Sequence, residues 1–297
     1  MPQQTEARNQ TDAPIDTLSP VRAAEALARA QLDAVRTVVQ AAPEIAAAAE
    51  AAAGALTRGN RLFYCGAGSS GLMALADAVE LPGTYGIGSE RIKIVLAGGA
   101  ASLPELPGGY EDDFDAGMAD LTDAGVSKGD CVIAVSASGK TPYTLGAAER
   151  ARRAGAILVS IANNDSAPLL GMGDVAILLA TPPELVAGST RLGAGTAQKI
   201  ALNSISTLVG VLLGHVHDGM MVNLRADNLK LRDRAVRTVR TVAKVDEAVA
   251  KEALAVSNGA VKQAILVAGG AESLEEATAR LEKAGQNLRR AMQLESR

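Results

Sequence analysis

Short apolar runs alternate with longer helical patterns along the first two thirds of the chain. Five of these runs are rich in Val, Ile or aromatic residues and are bounded by turn-forming or charged residues, which predicts strands at 61–65, 92–97, 131–135, 157–161 and 175–179. Apolar strands that alternate with helices are typical of parallel sheets covered on both faces. The pattern therefore predicts an α/β fold with a doubly wound parallel sheet.

Helical patterns precede and follow this predicted sheet. Residues 5–18 are predicted to form an extended arm, Pro20 to begin a helix that ends near Gln40, and an Ala-rich helix to follow Pro43. After Gly195 only helical patterns remain, at 196–213, 226–242 and in shorter segments after residues 245, 258 and 273. We expect N-terminal helices and the sheet in one domain, 1–242, and a small all-helical C-terminal domain, 243–297.

Composition and charge exclude several classes of protein. Hydrophobic residues make up 48% of the chain and aromatic residues 2%, so Ala, Val, Leu and Ile must fill the core. The net charge is −4 without a Lys/Arg cluster, which argues against a nucleic-acid partner. The uncharged stretch 200–217 contains Asn203 and two serines, so a core or interface helix is favoured over a membrane span. Residues 1–16 lack an apolar segment, so we expect no signal peptide and a cytoplasmic location.

Cysteine and histidine give little support for a metal or a disulfide. Cys65 and Cys131, the only cysteines, both lie in predicted strands, where a buried structural thiol is the favoured interpretation. His215 and His217, the only histidines, have no nearby Cys or His that would complete a ligand set. We therefore predict no metal site.

A Gly- and Ser-rich loop follows the first predicted strand at residues 66–71 (GAGSSG), and we call it the glycine–serine loop. Its spacing fits the G-x-G-x-x-G turn of dinucleotide-binding proteins, but no acidic residue ends the next strand to bind a ribose, so NAD is disfavoured. Its serines and the N–H groups of the following helix suit a small anion, and a capped tight turn explains them equally well. The candidate binding residues are Gly68, Ser69, Ser70 and Gly71.

A second loop, residues 136–141 (SASGKT), follows the third predicted strand, and we call it the hydroxyl loop. Three hydroxyl groups within six residues at a strand-to-helix turn favour a phosphate monoester as ligand. An ordinary capped turn remains an alternative. The candidate binding residues are Ser136, Ser138, Gly139 and Thr141.

Two glutamates are candidates for proton transfer. Glu80 is predicted to end the helix after the glycine–serine loop, where the helix dipole would raise the pKa of its carboxyl group. Glu111 is predicted to begin a helix, where the dipole favours the ionised form. Such opposed environments suit one acid and one base. From the residues alone, a solvated Glu80 and a helix-capping Glu111 remain open.

Polar residues also precede the apolar helix predicted at 196–213. Ser189, Thr190 and Lys199 either contribute to a sugar site or belong to the capping region of that helix. The residue pattern does not separate the two interpretations.

Taken in order, these segments resemble the N-acetylmuramic acid 6-phosphate etherase family, whose members have a sugar-isomerase (SIS) fold. The resemblance covers about residues 5–295. It rests on TEARN at 5–9, RLFY at 61–64, GAGSSG at 66–71, AGG at 97–99, EDD at 111–113, ASGKTPY at 137–143, GSTR at 188–191 and AGTAQK at 194–199.

The resemblance implies cleavage of the lactyl ether of N-acetylmuramic acid 6-phosphate to N-acetylglucosamine 6-phosphate and D-lactate, in cell-wall recycling. In the family pattern the acid/base glutamate falls on Glu80 and the glutamate that abstracts the proton on Glu111. The family needs no metal or redox cofactor and forms homodimers. We therefore expect a sugar 6-phosphate substrate, no cofactor, no nucleic-acid or membrane partner, and a homodimer.

The sequence departs from the family pattern near these motifs. Leu72 stands where the family usually has Arg, Gly83 falls in a segment that is usually Cys-Pro-Pro, and Tyr110 replaces Ala before the second glutamate. Gly193 stands where a polar residue is common, and the usual Cys-Asn-Pro appears as ANN at 162–164. These departures leave two alternatives open: another SIS enzyme that acts on a related sugar 6-phosphate, and a non-catalytic sugar-phosphate sensor.

Overall fold

The computed structural model of the 297-residue chain describes residues 4–10, 13–226 and 228–294. The described residues form two compact units. The first comprises Met1–Val79 and Glu90–Ser206, and the second comprises Glu80–Ser89 and Thr207–Arg297. The predicted boundary after residue 242, between the domain that contains the sheet and a small helical C-terminal domain, stays a prediction, and the outermost residues of both predicted domains lie outside the described ranges.

The first unit contains a five-stranded sheet in which all strands are parallel. Its strands are β1 (Leu62–Gly66), β2 (Ile92–Leu96), β3 (Cys131–Ser136), β4 (Ile157–Ala162) and β5 (Val175–Leu178), in the order β2-β1-β3-β4-β5. Every strand lies within one residue of its predicted bounds, and the predicted fold class is confirmed. Cys65 and Cys131 are both buried and unbridged, as expected for structural thiols.

Helices account for most of the remaining chain. They are α1 (Pro20–Gln40), α2 (Ala42–Thr57), α3 (Gly68–Ala78), α4 (Leu81–Tyr85), α5 (Phe114–Asp123), α6 (Pro142–Ala154), α7 (Gly193–Leu212), α8 (Leu229–Ala243), α9 (Glu247–Val256), α10 (Val261–Ala268), α11 (Leu274–Lys283) and α12 (Leu288–Met292). The predicted arm contains two 3-10 turns, Gln4–Glu6 and Ile15–Thr17, and its positions 11 and 12 lie outside the described residues.

Two predicted helix boundaries were wrong, and one hairpin was not predicted. The helix after the glycine–serine loop ends at Ala78, before Glu80, because Pro82 lies in the first turn of a new short helix, α4. Helix α8 begins at Leu229 and not at 226. The region after residue 195 also contains an antiparallel hairpin, β6 (Val216–His217) with β7 (Met220–Met221), whose strands are too short for a periodic pattern to reveal.

Helices α5 and α6 pack closely at two glycines. A Cβ atom added at Gly117 would lie 2.0 Å from the carbonyl oxygen of Tyr143, and one added at Gly146 would lie 2.0 Å from that of Phe114. Real Cβ atoms do not approach a backbone oxygen so closely, so only glycine permits this contact. The segment that contains Glu111 directly precedes α5, and the hydroxyl loop directly precedes α6. The close contact between the two helices therefore fixes the positions at which both segments end.

The second unit has its own core, centred on residues directly after the hairpin, in α8 and in the C-terminal helices (Val222, Val239, Ala250, Ile265 and Leu281 among them). Beside it lies a polar cluster. Lys262 is 2% exposed and donates from Nζ to the carbonyl oxygen of Gln286 at 2.7 Å. The His215 ring faces Asn223 at 3.4 Å from Nδ1 to Nδ2, and Asn223 donates to the Tyr85 carbonyl.

This cluster makes stability depend on pH through His215. Burial and the nearby Lys262 charge lower the pKa of His215 to about 4, from about 6.5 in an unfolded chain. As the pH falls, His215 is therefore protonated at a higher pH in the unfolded state than in the folded state. The free energy of unfolding must then decrease as the pH drops from about 6.5 towards 4. We expect the free energy of unfolding of the wild type to decrease by roughly 1–3 kcal/mol over this pH window, and we expect no such decrease in His215→Gln. Urea unfolding at several pH values measures both. Identical pH slopes for the wild type and His215→Gln would contradict this assignment.

Candidate active site

The two predicted anion loops meet at the switch point of the sheet. After β1 the chain moves to β2 on one side, and after β3 it moves to β4 on the other, so the two connections diverge between β1 and β3. In parallel α/β sheets ligands bind at this crevice, at the carboxyl ends of the strands. The glycine–serine loop follows β1 and the hydroxyl loop follows β3. The sheet order alone therefore brings both loops to one place.

The glycine–serine loop leads directly into α3. The helix begins at Gly68, and the Gly71 N–H donates to the Ala67 carbonyl at 2.9 Å to close its first turn. The N–H groups of the first turn have no partners within the helix and point towards the crevice end. Ser70 is buried and its Oγ accepts a hydrogen bond from the Ala137 N–H at 3.3 Å, which joins the two loops. Ser69 is half-buried.

The hydroxyl loop is held by its own side chains. Ser136 Oγ lies 2.8 Å from Thr141 Oγ1 and accepts from the Gly139 N–H at 3.0 Å. Ser138 Oγ accepts from the Lys140 N–H at 3.1 Å. Ser136 is buried, whereas Ser138 and Thr141 are half-buried. Ser136 therefore shapes the loop, and Ser138 and Thr141 are the hydroxyl groups nearer to solvent.

Glu111 lies against the start of α3. It belongs to a 3-10 turn, Gly108–Asp112, and a Cβ atom placed on Gly68 would lie 2.3 Å from its Oε1. Gly68 has φ +50°, so the backbone conformation and the nearby carboxylate both favour glycine there. The structure thus brings the carboxyl group of Glu111 to the glycine–serine loop from a segment more than forty residues away in sequence.

The expected ionisation of Glu111 was wrong in direction. Burial, with a smaller contribution from the negative charge of Asp112, raises the pKa of Glu111 above its ordinary value. The N-cap of α5 is Asp113, whose carboxylate accepts from the Ala116 N–H at 2.8 Å. Glu111 precedes that cap by two residues, so the dipole argument does not apply to it. A carboxylate of raised pKa is a stronger proton acceptor.

Glu80 belongs to the second unit, where it is exposed and occupies the N-cap position of α4. Its carbonyl oxygen accepts from the Thr84 N–H at 3.0 Å. The dipole argument for Glu80 assumed that it ended α3, and α3 ends at Ala78. That argument therefore no longer bears on its carboxyl group.

A buried carboxylate that the sequence did not single out caps α7. Glu184 is 4% exposed and accepts from the N–H groups of Gly193 and Ala194 at 2.9 and 2.8 Å. Ser189 and Thr190 are half-buried in the preceding segment. Lys199 is exposed one turn further along α7. Glu184 thus supplies side-chain acceptors, and the Thr190 carbonyl oxygen accepts from the Gly195 N–H at 2.8 Å, so both interpretations of Ser189 and Thr190 stay open.

A second missed carboxylate fixes the far end of α3. Asp77 is 3% exposed and accepts from Tyr64 Oη at 2.8 Å, Asn203 Nδ2 at 2.6 Å and Ser206 Oγ at 2.8 Å. These hydrogen bonds, all from neutral donors, join α3 to β1 and α7. Since its partners lie 13 to 129 residues away in sequence, no local pattern could reveal them.

The described residues define what this site can do. The loops offer backbone N–H and hydroxyl donors to an anion, and Glu111 offers a partly buried proton acceptor beside them. Among the described residues, no group of three or more His, Cys, Asp or Glu side chains has the arrangement of a metal site. No helix in the described ranges combines the length and apolarity that crossing a bilayer requires.

Comparisons with known proteins agree with these features. The sequence profile of the SIS domain matches residues 27–163. The N-acetylmuramic acid 6-phosphate etherase of Deinococcus radiodurans is 45% identical over 98% of this chain and 95% of that protein. Those of Symbiobacterium thermophilum and Mycolicibacterium smegmatis are 42% and 41% identical, over 88% and 97% of this chain and 87% and 97% of their own lengths. A solved phosphoheptose isomerase of Francisella tularensis, 18% identical, covers 66% of this chain and 98% of its own with a TM-score of 0.47.

Proposed function

This chain belongs to the N-acetylmuramic acid 6-phosphate etherase family, and on that premise we propose that it cleaves the D-lactyl ether of N-acetylmuramic acid 6-phosphate. The products are N-acetylglucosamine 6-phosphate and D-lactate. The observation that carries the proposal is the 45% identity over 98% of the chain with one such etherase. The position of Glu111 at the glycine–serine loop adds a chemical reason, since the reaction needs a base beside a bound sugar phosphate.

The reaction follows from the acidity of carbon 2 in the ring-opened sugar. The aldehyde at carbon 1 stabilises the carbanion that forms when a base removes the carbon-2 proton. The carbon–oxygen bond at carbon 3 then breaks, and lactate leaves with a proton from an acid. Water adds to carbon 3 of the unsaturated aldehyde, and a proton returns to carbon 2. The sum consumes one water and releases one D-lactate.

In this scheme Glu111 removes the carbon-2 proton, which its raised pKa favours. Glu80 is proposed as the acid/base group that serves the leaving lactate, and its support is the family pattern. The phosphate is proposed to bind the two loops, through Ser69, Ser138 and Thr141 and the N–H groups at the start of α3. The remaining proposed contacts with the sugar come from the half-buried Ser189 and Thr190 and from Lys199.

Three further points belong to this proposal. The reaction recycles peptidoglycan sugars, the enzyme works in the cytoplasm, and it forms a homodimer. Each rests on the family resemblance, and the acidic composition without a basic cluster agrees with a small-molecule substrate. Leu72 and Tyr110, which differ from the family pattern, are the residues we expect to affect substrate preference; Tyr110 is 50% exposed.

The proposed function is tested by incubating the purified protein with N-acetylmuramic acid 6-phosphate and measuring D-lactate and N-acetylglucosamine 6-phosphate. We expect both products in equal amounts. A folded protein that turns over only sugar phosphates without a lactyl group would be an SIS enzyme of another specificity. One that binds them without turnover would be a sensor.

Gly68→Ala tests whether the carboxylate of Glu111 must lie over the glycine–serine loop. The added methyl group would lie 2.3 Å from Oε1 and displace the carboxylate, and we expect kcat/KM to fall about a hundredfold, the loss typical of a displaced reacting group. The control is Gly59→Ala, which has a similar left-handed φ of +87° with nothing within 4 Å of the new Cβ. It shares the backbone strain, so wild-type activity in Gly59→Ala and loss in Gly68→Ala would assign the effect to Glu111. Equal activity in the two variants would contradict it.

A further inference from the structure

The side chain of Asn164 links two distant parts of the first unit. It follows β4 and is 1% exposed. Its Nδ2 donates to the Ala137 carbonyl oxygen at 2.9 Å and to Thr5 Oγ1 at 3.1 Å, and its Oδ1 accepts from the Thr5 N–H at 3.3 Å.

Thr5 forms the other half of the contact. It lies in the first 3-10 turn of the N-terminal arm and is 2% exposed, although residues on both sides of it are exposed. Its carbonyl oxygen accepts from the Gly188 N–H at 3.2 Å. Asn9 adds a second tie, since its Nδ2 donates to the Pro183 carbonyl at 2.6 Å. The arm is thus bonded to the segment that carries Ser189 and Thr190.

The Ala137 peptide group is where this link reaches the site. It lies in the middle of the hydroxyl loop, and its N–H donates to Ser70 Oγ of the glycine–serine loop. Its carbonyl oxygen accepts from Asn164 Nδ2 and from the Asn163 N–H at 3.0 Å. A continuous chain of hydrogen bonds therefore runs from Ser70 through Ala137, Asn164 and Thr5 to Gly188.

We propose that Thr5 and Asn164 are positioning residues that hold the hydroxyl loop and the 188–190 segment at a fixed separation for the substrate. We call this Thr5–Asn164 contact the arm clasp. Neither residue touches the substrate. The arm clasp sets the distance between the loop proposed to bind the phosphate and the segment proposed to bind the sugar. The inference rests on the proposed function and adds to it a role for the N-terminal arm.

Thr5→Val and Asn164→Ala test the arm clasp. Each removes at least one neutral hydrogen bond, and we expect each to raise KM for N-acetylmuramic acid 6-phosphate about tenfold while kcat stays within about twofold. Thr5→Ser keeps the hydroxyl group and should restore the wild-type KM. The matched control is Thr17→Val, since Thr17 lies in the same arm and its Oγ1 donates to the local Pro14 carbonyl oxygen at 2.7 Å. It should leave both constants unchanged.

The double variant tests whether Thr5 and Asn164 act through their shared contact or independently of each other. If Thr5 and Asn164 act through one contact, Thr5→Val/Asn164→Ala should raise KM no more than Asn164→Ala alone. Multiplicative effects on KM, or an equal loss of kcat in both single variants, would overturn the proposal. Thermal unfolding of each variant is measured alongside. An unchanged KM in a folded Thr5→Val would overturn the proposal even if Asn164→Ala fails to fold.

Failure of the etherase activity is distinguishable from failure of the clasp. If the wild type releases no lactate, the proposed function fails. The same variants are then compared by calorimetric binding of N-acetylglucosamine 6-phosphate. A dissociation constant about tenfold weaker in Thr5→Val and Asn164→Ala, with Thr17→Val unchanged, would still support the arm clasp. Equal dissociation constants would overturn it.

Discussion

Replacing Glu111 by Gln is expected to lower kcat for lactate release by at least about a hundredfold, because the amide cannot accept the carbon-2 proton. Gln keeps the size of the side chain, so the 3-10 turn and the contact with Gly68 should persist. The measurement is steady-state D-lactate release with KM and kcat determined separately. A change in KM alone would show that Glu111 binds substrate and does not remove the proton.

The pH dependence gives a second test of the same group. A base works in its ionised form, so kcat/KM should fall as the pH drops through the pKa of Glu111, which burial and Asp112 raise. Asp112→Asn is the matched control because it changes one neighbouring charge without touching the base. We expect it to keep kcat and to move the acid limb to lower pH. If Asp112→Asn leaves the acid limb of the kcat/KM profile at the wild-type pH, a group other than Glu111 controls that limb.

Gly146→Ala is expected to destabilise the protein by more than about 3 kcal/mol, because the new methyl group would overlap a backbone oxygen at the contact between α5 and α6. The distance from the added Cβ to the Phe114 carbonyl oxygen would be 2.0 Å. Relief requires the two helices to separate, and neither side is a flexible side chain. Denaturant unfolding measures the change in the free energy of unfolding.

Gly54→Ala in α2 is the matched control for this substitution. It is also a Gly-to-Ala change inside a helix, but the nearest atom to its Cβ is Arg58 Nη1 at 3.1 Å, the end of a flexible side chain. Because Ala is the better helix former, we expect no loss and a gain of up to about 1 kcal/mol. Similar losses in both variants would mean that the effect is not due to the helix contact.

The sheet could be predicted because its strands carry an obvious local signal. Each strand of a parallel sheet is apolar on both faces, so β1 and β3 stand out as short runs between polar turns. The positions of the two loops could be predicted from the same signal, since each loop starts where an apolar run ends. The fold class and the place of the loops therefore came from residues adjacent in sequence.

The contacts that complete the site are not local, and the sequence did not reveal them. Glu184 caps α7 from nine residues away, and the Thr5–Asn164 contact joins residues 159 apart. The predicted direction of the Glu111 pKa shift was wrong because Glu111 lies two residues before the N-cap of α5, so the dipole argument does not apply to it, and because burial by the tertiary structure raises its pKa. Burial of this kind depends on which segments meet, and periodicity does not carry that information.

The second unit is assembled from two parts of the chain that the ribosome makes at very different times. Tyr85 bonds Thr207 through its hydroxyl group and Asn223 through its carbonyl, partners 122 and 138 residues further along. At synthesis rates of about 5–20 residues per second, residues 80–89 would wait roughly 6–28 s for these partners. During that time Tyr85, which is buried in the finished fold, lacks both of these partners. We therefore expect nascent chains stalled before residue 207 to bind holdase chaperones at this segment, and release to coincide with emergence of α7 and the β6–β7 hairpin.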